Sequence, residues 1–266
     1  MGPITHVLYH AHCADGFGAA FAAWTVLGEQ ARYLPVRHGE PPPELPAEAH
    51  VAILDFSYAR ATLLELQERC QSLLVLDHHK SAQADLADLP FARFDLDKSG
   101  ARLAWEYFQP LQKLPELLAY VEDQDLWRFA LPDSRAVSAA LHGYPMDFAL
   151  WQRLSVAELA SEGRAILRYK QSLIERAVSR TRWTRVGEHD IPTVNSCLLQ
   201  SEIGDELCRL YPEAPFAGVY YANQKEQQAW SLRSIGEFDV SAVAALYGGG
   251  GHRNAAGFAL PLDRAL

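Results

Sequence analysis

The sequence predicts an α/β protein in which an N-terminal parallel sheet, flanked by helices, precedes a smaller mixed α/β domain. Two observations indicate this fold. Short apolar runs alternate with helical patterns as far as residue 108, as expected of parallel strands joined by helices. After a long helical segment, the pattern changes near residue 186 to strands and short helices. We therefore expect a first domain at 1–160, a helical connector at 161–186 and a second domain at 187–266.

The individual elements follow from apolar spacing and from the residues that end each run. The first domain is predicted to have strands at 4–10, 31–36, 50–55, 73–77 and 91–96 and helices at 18–28, 58–71, 100–108 and 115–123. Gly16 and Gly18 are expected to form a tight turn before the first helix, and Ser99 is placed to cap the third. The segment 156–185 is predicted as one or two long helices. The second domain is predicted to have strands at 192–199, 216–221 and 229–234 and a helix at 240–247.

Composition limits the class of protein. Of the 266 residues, 49% are hydrophobic and 21% charged, as is ordinary for a globular protein, and the formal net charge is −9. That charge argues against a protein that coats long nucleic acid by charge alone, but it allows a small anionic substrate held by metal ions. No apolar stretch approaches the roughly 18 residues of a membrane span, and no signal peptide is indicated. The four cysteines form no CxxC pair, so a thiolate zinc site is not expected. Free thiols in a reducing, cytoplasmic location are expected instead.

Polar side chains follow three of the predicted strands. Asp77, His78 and His79 end an apolar run, His10 ends the first strand and Asp55 ends the third. The carboxyl ends of parallel strands meet at one edge of an open α/β sheet, where the chemistry of such folds is found. These strand ends therefore predict one shared metal site.

The candidate ligands combine carboxylates with imidazoles, a mixture that suits Mn²⁺ or another borderline divalent ion. They are His10, Asp15, Asp55, Asp77, His78, His79 and Asp123. Because the set exceeds the needs of one ion, two metals with a bridging carboxylate are expected, and such a pair can activate water and hold phosphoryl oxygens. Taken alone, His10 or Asp55 could instead cap a helix or line a loop. His12 could be a ligand or a substrate contact.

Several segments together resemble the DHH phosphoesterases, the superfamily of RecJ-type exonucleases, nanoRNases and family II pyrophosphatases. LDHHK at 76–80 resembles the signature of that superfamily. YHAHCADGFGAA at 9–20 is similar to its first motif, LDFS at 54–57 to its second and YVEDQDLW at 120–127 to its fourth. SGARLAWEYF at 99–108 resembles the helix after the third motif. The resemblance implies that residues 1–160 form a DHH metal-binding catalytic domain.

The resemblance also implies a ligand set for two Mn²⁺ ions, with Mg²⁺ or Co²⁺ as substitutes. One ion would be held by His10 and Asp55. The other would be held by Asp15, Asp55, His78 and Asp123, with Asp55 bridging.

Two catalytic roles and one departure follow from the same comparison. Asp77 would orient a ligand histidine, and His79 would face the substrate phosphate. Many family members have two aspartates after the first-motif histidine, whereas this chain has only Asp15. Either Asp123 or Asp125 could be the fourth-motif ligand, and Asp123 is preferred.

A glycine run near the C-terminus is the second candidate site. Backbone N–H groups of such a run can cradle an anion, although a flexible turn is the alternative. SLRS at 231–234, followed by GGGGHRNAAG at 248–257, resembles the DHH-associated C-terminal domain. That resemblance makes 187–266 the substrate-binding domain. The implied substrate-binding residues are His79, Arg233, Gly249, Gly250, Gly251 and His252, with Arg253 as a further candidate.

The expected function is Mn²⁺-dependent hydrolysis of phosphodiester bonds by a two-metal mechanism. The resemblance points to the nanoRNase-like branch, with a short single-stranded nucleic acid or small nucleotide held between the domains. Alternatives within enzymes are a 3′-phosphoadenosine 5′-phosphate phosphatase, a cyclic-dinucleotide phosphodiesterase and an exopolyphosphatase. A non-catalytic nucleotide-binding protein is the alternative from another class. No membrane partner is expected, and a homodimer is left open.

Overall fold

The computed structural model describes residues 2–263 and divides into two compact units, residues 1–167 and 168–266. The boundary falls inside the long helix Val156–Val178. The α/β class predicted from the sequence is confirmed, since the first unit contains a parallel sheet and the second a mixed one. Among residues 2–263, no helix combines the length and the apolar character needed to cross a bilayer.

The sheet of the first unit has five parallel strands. They are β1 (His6–His10), β2 (Arg32–Val36), β3 (His50–Leu54), β4 (Ser72–Asp77) and β5 (Ala92–Phe94). Their order is β2-β1-β3-β4-β5, the doubly wound order in which the direction of strand addition reverses between β1 and β3. A crevice is therefore expected at the carboxyl ends of β1 and β3.

Helices cover both faces of this sheet. They are α1 (Ala14–Leu27), α2 (Arg60–Arg69), α3 (Lys80–Leu86), α4 (Gly100–Phe108), α5 (Glu116–Asp125), α6 (Ser134–Leu141), α7 (Phe148–Trp151) and α8 (Val156–Val178). One apolar core joins the sheet to α1, α4 and α5, and another joins it to α2 and α3. As predicted, the Ser99 side chain caps α4 by accepting a hydrogen bond from the Arg102 amide.

Helix α1 begins earlier than the sequence predicts. It starts at Ala14, so Gly16 and Gly18 lie within its first turns instead of forming a turn before it. A Cβ atom on Gly16 would stand 2.3 Å from the His10 carbonyl oxygen. The glycine is required for close packing of the helix on the end of β1, which brings Asp15 to the strand ends.

The second unit is built on a six-stranded mixed sheet with two further helices. Its elements are β6 (Arg182–Val186), β7 (His189–Asn195), α9 (Gln200–Leu210), β8 (Ala217–Ala222), β9 (Gln227–Arg233), α10 (Val240–Ala245), β10 (Gly250–His252) and β11 (Ala255–Pro261). The strand order is β10-β11-β9-β8-β7-β6, and only the pair β7–β8 is parallel among the described residues.

The expectation of helix as far as residue 185 is wrong. Helix α8 ends at Val178, and 182–186 forms β6, which pairs with β7 through a turn at Gly187. Gly187 has φ of 61°, a left-handed conformation that glycine adopts without strain. The pair is reinforced on one face, where the Thr184 and Thr193 hydroxyls are 2.8 Å apart. The arginines of the segment 156–185 therefore lie partly on α8 and partly on β6, which is an edge strand.

Candidate metal centre

The strand ends of the first unit bring histidines and a carboxylate together, as the sequence predicts. His10 is the last residue of β1, Asp55 follows β3, and His78 follows β4. His78 Nε2 is 3.1 Å from Asp55 Oδ1, and His10 Nδ1 is 3.5 Å from Asp55 Oδ2. Asp55 thus lies between two imidazoles, with a different oxygen towards each.

The backbone of Asp55 has an uncommon conformation. Its φ of 55° places a non-glycine residue in the left-handed region, which costs free energy and persists only where the surroundings enforce it. The Asp55 amide donates to the Leu76 carbonyl at 2.9 Å, and the side chain is 1% exposed. This conformation turns the carboxylate from the end of β3 into the cluster.

Asp15 reaches the same cluster from the first turn of α1. Its two oxygens accept hydrogen bonds from the Gly100 amide at 2.6 Å and the Ala101 amide at 2.9 Å, at the N-terminus of α4. The Asp15 Oδ2 atom is also 3.7 Å from His78 Nε2. Two helix N-termini therefore meet at the strand ends, where they favour negative charge.

The structure brings Asp125, and not Asp123, to the cluster. Asp125 Oδ2 is 3.6 Å from His78 Nε2. The Asp123 carboxylate instead accepts hydrogen bonds from the amides of Ala130 and Leu131, at 2.9 and 3.2 Å, and holds the loop after α5. Asp123 and Asp125 are two residues apart on α5, so their side chains point in directions about 200° apart around the helix axis. Only one of them can therefore face the cluster. Asp125, and not the preferred Asp123, is therefore the α5 carboxylate that faces the candidate ligands.

Asp77 fixes the position of His79. Its Oδ1 accepts hydrogen bonds from His79 Nδ1 at 2.6 Å and from the His78 amide at 2.7 Å, and its Oδ2 accepts from the Ser57 hydroxyl at 2.6 Å. The histidine ring oriented by Asp77 is thus His79, the expected phosphate contact. A cavity of about 280 Å³ opens beside His79, between His38, Ser57 and Tyr58.

Three residues near the cluster were not singled out from the sequence. They are Cys13, His38 and Ser57. The centre of the His38 ring lies 5.3 Å from the centre of the His10 ring, and His38 stacks on Phe56 with ring centres 4.4 Å apart. Since His38 follows β2, and β2 pairs with β1, the strand-end pattern could have identified it.

The charges of the cluster fit a divalent cation. Within residues 2–263, the ion-pair partners of Asp15, Asp55 and Asp125 are histidine side chains. Burial and the neighbouring Asp55 raise the pKa of Asp15 well above its usual value and that of Asp125 to about 6. Burial would lower the pKa of His78, but the carboxylates around it raise it to about 9. Such shifts mean that the carboxylates need positive charge nearby, which a metal ion would supply.

A second observation supports the same fit. Asp55 Oδ1 is buried and, among the described residues, has no hydrogen-bond partner of acceptable geometry. Buried carboxylate oxygens are rarely left in this state without a ligand. Three overlapping groups have ligand atoms within 4.8 Å of one another: Asp55, Asp77, His78 and His79; His10, Cys13 and Asp55; and Asp15, His78 and Asp125.

In the second unit, the glycine run is arranged differently from the predicted anion cradle. The amides of Gly248 and Gly249 donate to the carbonyls of Ala245 and Ala244, so they close α10. Gly250 and Gly251 belong to β10 and pair with β11. The Gly249 amide is therefore not free for an anion, and the loop is a strand hairpin.

Arg233 and His252 lie in one row across the sheet of the second unit. Both are in register with Ala255 of the intervening strand β11, which places them on one face, about 10 Å apart. The Arg233 guanidinium donates to the Ser201 hydroxyl at 2.6 Å and to the Leu232 carbonyl at 2.9 Å. Burial lowers the pKa of Arg233, so its charge is partly desolvated.

Comparisons with known proteins agree with this fold and motif set. No family model matches the chain. The uncharacterized protein R106 of Acanthamoeba polyphaga mimivirus is 31% identical over 95% of this chain and 66% of its own length. The oligoribonuclease NrnB of Bacillus subtilis (strain 168) is 26% identical over 69% of this chain and 51% of its own length.

A solved structure supplies the decisive comparison of folds. The DHH domain of a protein described as a member of a family of ribosomal proteins superposes with a TM-score of 0.55 at 16% identity, covering 98% of this chain and 83% of that one. The chain therefore has the fold of a DHH domain. The resemblance carried by LDHHK is thereby confirmed, and the DHH segment itself is the end of β4 and the two residues after it. The chain spans 66% and 51% of the lengths of the two relatives.

Proposed function

We propose that this DHH protein is a divalent-metal-dependent phosphodiesterase that hydrolyses short oligonucleotides. The observation that carries the proposal is the buried carboxylate of Asp55, which lies between His10 and His78. Its Oδ1 has no hydrogen bond of good geometry, although His78 Nε2 is 3.1 Å away. A relative of 26% identity is named an oligoribonuclease, which supports the substrate class.

Two ions are proposed to bind at the strand ends. One would be held by His10 and Asp55, and the other by Asp15, Asp55, His78 and Asp125, with Asp55 as the shared ligand. Mn²⁺ suits this mixture of imidazole and carboxylate, with Mg²⁺ or Co²⁺ as substitutes. Such a pair supplies an activated water and neutralises the charge that develops on the phosphoryl oxygens.

The protein groups around the metals position the substrate. His79 is held through Nδ1 by Asp77, which leaves Nε2 as the ring nitrogen that can contact a phosphate oxygen beside the cavity of about 280 Å³. Because the ring is already oriented, less conformational entropy is lost when the contact forms.

In the second unit, the row of Arg233 and His252 is proposed to bind a further phosphate of the oligonucleotide. The partly buried guanidinium already has two hydrogen bonds and retains donors for an anion. A charged group in such surroundings binds phosphate more strongly than one fully in water, because the local dielectric is lower.

The proposal is tested by hydrolysis assays on purified protein with Mn²⁺ and with EDTA. The substrates are a dinucleotide, a five-residue RNA, a longer single strand, 3′-phosphoadenosine 5′-phosphate, a cyclic dinucleotide and polyphosphate. We expect Mn²⁺-dependent cleavage, fastest on the shortest oligonucleotides, and its loss in Asp55→Asn. Asp88→Asn is the matched control, since Asp88 is an exposed carboxylate paired with Arg60. Activity that resists EDTA, or that survives in Asp55→Asn, would contradict the proposal.

A further inference from the structure

Cys13 is the cysteine whose thiol lies among the candidate ligands. Its Sγ forms a group with ligand atoms of His10 and Asp55, all within 4.8 Å of one another. The other described cysteines have different surroundings: Cys70 is in an apolar core, Cys208 donates to the Arg233 carbonyl and Cys197 is exposed.

The local structure gives Cys13 no other evident task. It occupies the N-cap position of α1, with φ of −120° and ψ of 133°, yet its side chain makes no capping hydrogen bond. Ser, Asp or Asn is the usual choice there, because an oxygen caps the exposed amides and a thiol does so poorly. The Gly16 amide lies near the thiol, but so weak a cap gives no reason for a cysteine in place of a serine at this position.

The first of the two proposed ions has few protein ligands. His10 and Asp55 supply two protein ligands for the first ion, whereas borderline divalent ions in proteins take four or more ligands. The 1% exposed Asp55 is itself short of partners, since its Oδ1, the oxygen that faces His78, has no hydrogen bond of good geometry.

We propose that the Cys13 thiolate is the third protein ligand of the first ion, beside His10 and Asp55. This inference rests on the metal centre of the proposed function. When the ion binds, the S–H bond breaks, the proton passes to solvent and the metal–sulfur bond forms, with no change of oxidation state. A thiolate is a softer donor than the carboxylate oxygens around it. The first site therefore favours Zn²⁺ or Co²⁺ over Mn²⁺ more strongly than an all-carboxylate and histidine site would.

The test is a Co²⁺ titration of metal-free protein followed by absorption spectroscopy. A cobalt–thiolate bond gives a charge-transfer band in the near ultraviolet, which nitrogen and oxygen ligands do not. We expect the band in the wild-type chain, its loss in Cys13→Ser and Cys13→Asp, and its retention in Cys197→Ser. Cys13→Asp should still bind Co²⁺ and should have a lower preference for Zn²⁺ over Mn²⁺ in competition.

The outcomes separate this inference from the proposed function. Two bound Co²⁺ ions without the band in the wild-type chain would leave the metal centre intact and overturn the role of Cys13. Absence of bound Co²⁺ would overturn the metal centre itself. If both Cys13 variants fail to fold, alkylation of the wild-type chain decides: bound Co²⁺ should protect Cys13 from iodoacetamide and leave Cys197 equally reactive. Equal reactivity of Cys13 with and without Co²⁺ would contradict ligation.

Discussion

A Cβ atom on Gly100 would stand 2.4 Å from the Asp55 Cβ atom and 2.7 Å from Asp55 Oδ1. Helix α4 therefore begins with the one residue type that lets its backbone approach the end of β3 this closely. The same backbone donates its Gly100 amide to Asp15 at 2.6 Å. The first turn of α4 thus positions two carboxylates of the metal centre without contributing a ligand.

Gly100→Ala should weaken metal binding while the rest of the sheet keeps its structure. The added methyl group must displace Asp55, whose left-handed backbone has little freedom to adjust, and we expect a loss of about 10–100-fold in metal affinity. Gly250→Ala is the control, because a Cβ atom there meets no atom within 4 Å. The measurement is metal affinity by calorimetry, with circular dichroism as a check on folding. Unchanged affinity in Gly100→Ala would mean that Asp55 does not bind metal in the position described.

Asp125→Asn and Asp123→Asn should have opposite effects. Asp125→Asn should reduce metal content and activity with little change in thermal stability, because it removes a charge from the cluster around His78. Asp123→Asn should keep the metal but destabilise the chain by about 1–3 kcal/mol, since its NH₂ group cannot accept from one of the two loop amides. The readouts are metal content by mass spectrometry and thermal unfolding. The reverse pattern would restore Asp123 as the ligand.

The fold and most of the centre were predictable because parallel strands leave a strong signal. Apolar runs that stop abruptly at His10, Asp55 and Asp77 indicate strand ends, and the strand ends of a doubly wound sheet share one edge. His38 follows the same rule and was missed, although its strand was predicted at 31–36, because Arg37 separates it from the strand end and the strand itself includes Pro35. Proline is tolerated there because β2 is an edge strand.

The remaining errors depend on tertiary contacts that a single sequence does not encode locally. The choice between Asp123 and Asp125 depends on how α5 is rotated, since a two-residue step reverses the side of the helix. The glycine run could form an anion loop or a hairpin, and the pairing of β11 with β9 as well as with β10 decides between them. The position of Cys13 beside Asp55 requires the packing of α1 on β3, which spacing along the chain does not reveal.

Gly249→Ala should destabilise the second unit, whereas Gly250→Ala should not. A Cβ atom on Gly249 would stand 2.1 Å from the Gly257 carbonyl oxygen and 2.6 Å from the Phe258 Cβ atom, so β11 would have to move. We expect faster amide hydrogen exchange in β11 and a lower melting temperature for Gly249→Ala. Since Gly250 faces open space, its alanine variant controls for the loss of a glycine from the run. Equal stability of both variants would contradict the close approach of Gly249 to β11.

Asp77→Asn isolates the charge of the residue that orients His79. The amide oxygen can keep the hydrogen bonds from His79 Nδ1 and the His78 amide, and the Ser57 hydroxyl can rotate to accept from the new NH₂ group. The geometry should therefore persist while the negative charge is lost. We expect activity on a dinucleotide to fall about 10–100-fold with metal content unchanged.

Ser57→Ala is the matched variant, because it removes one hydrogen bond to Asp77 and leaves the negative charge. It should lower activity less than Asp77→Asn does, since the carboxylate keeps its charge and its hydrogen bonds from His79 Nδ1 and the His78 amide. The measurement is kcat/KM for both variants together with metal content and circular dichroism. If Asp77→Asn lost its metal as well, Asp77 would belong to the metal ligands, and its bond to His79 would be secondary.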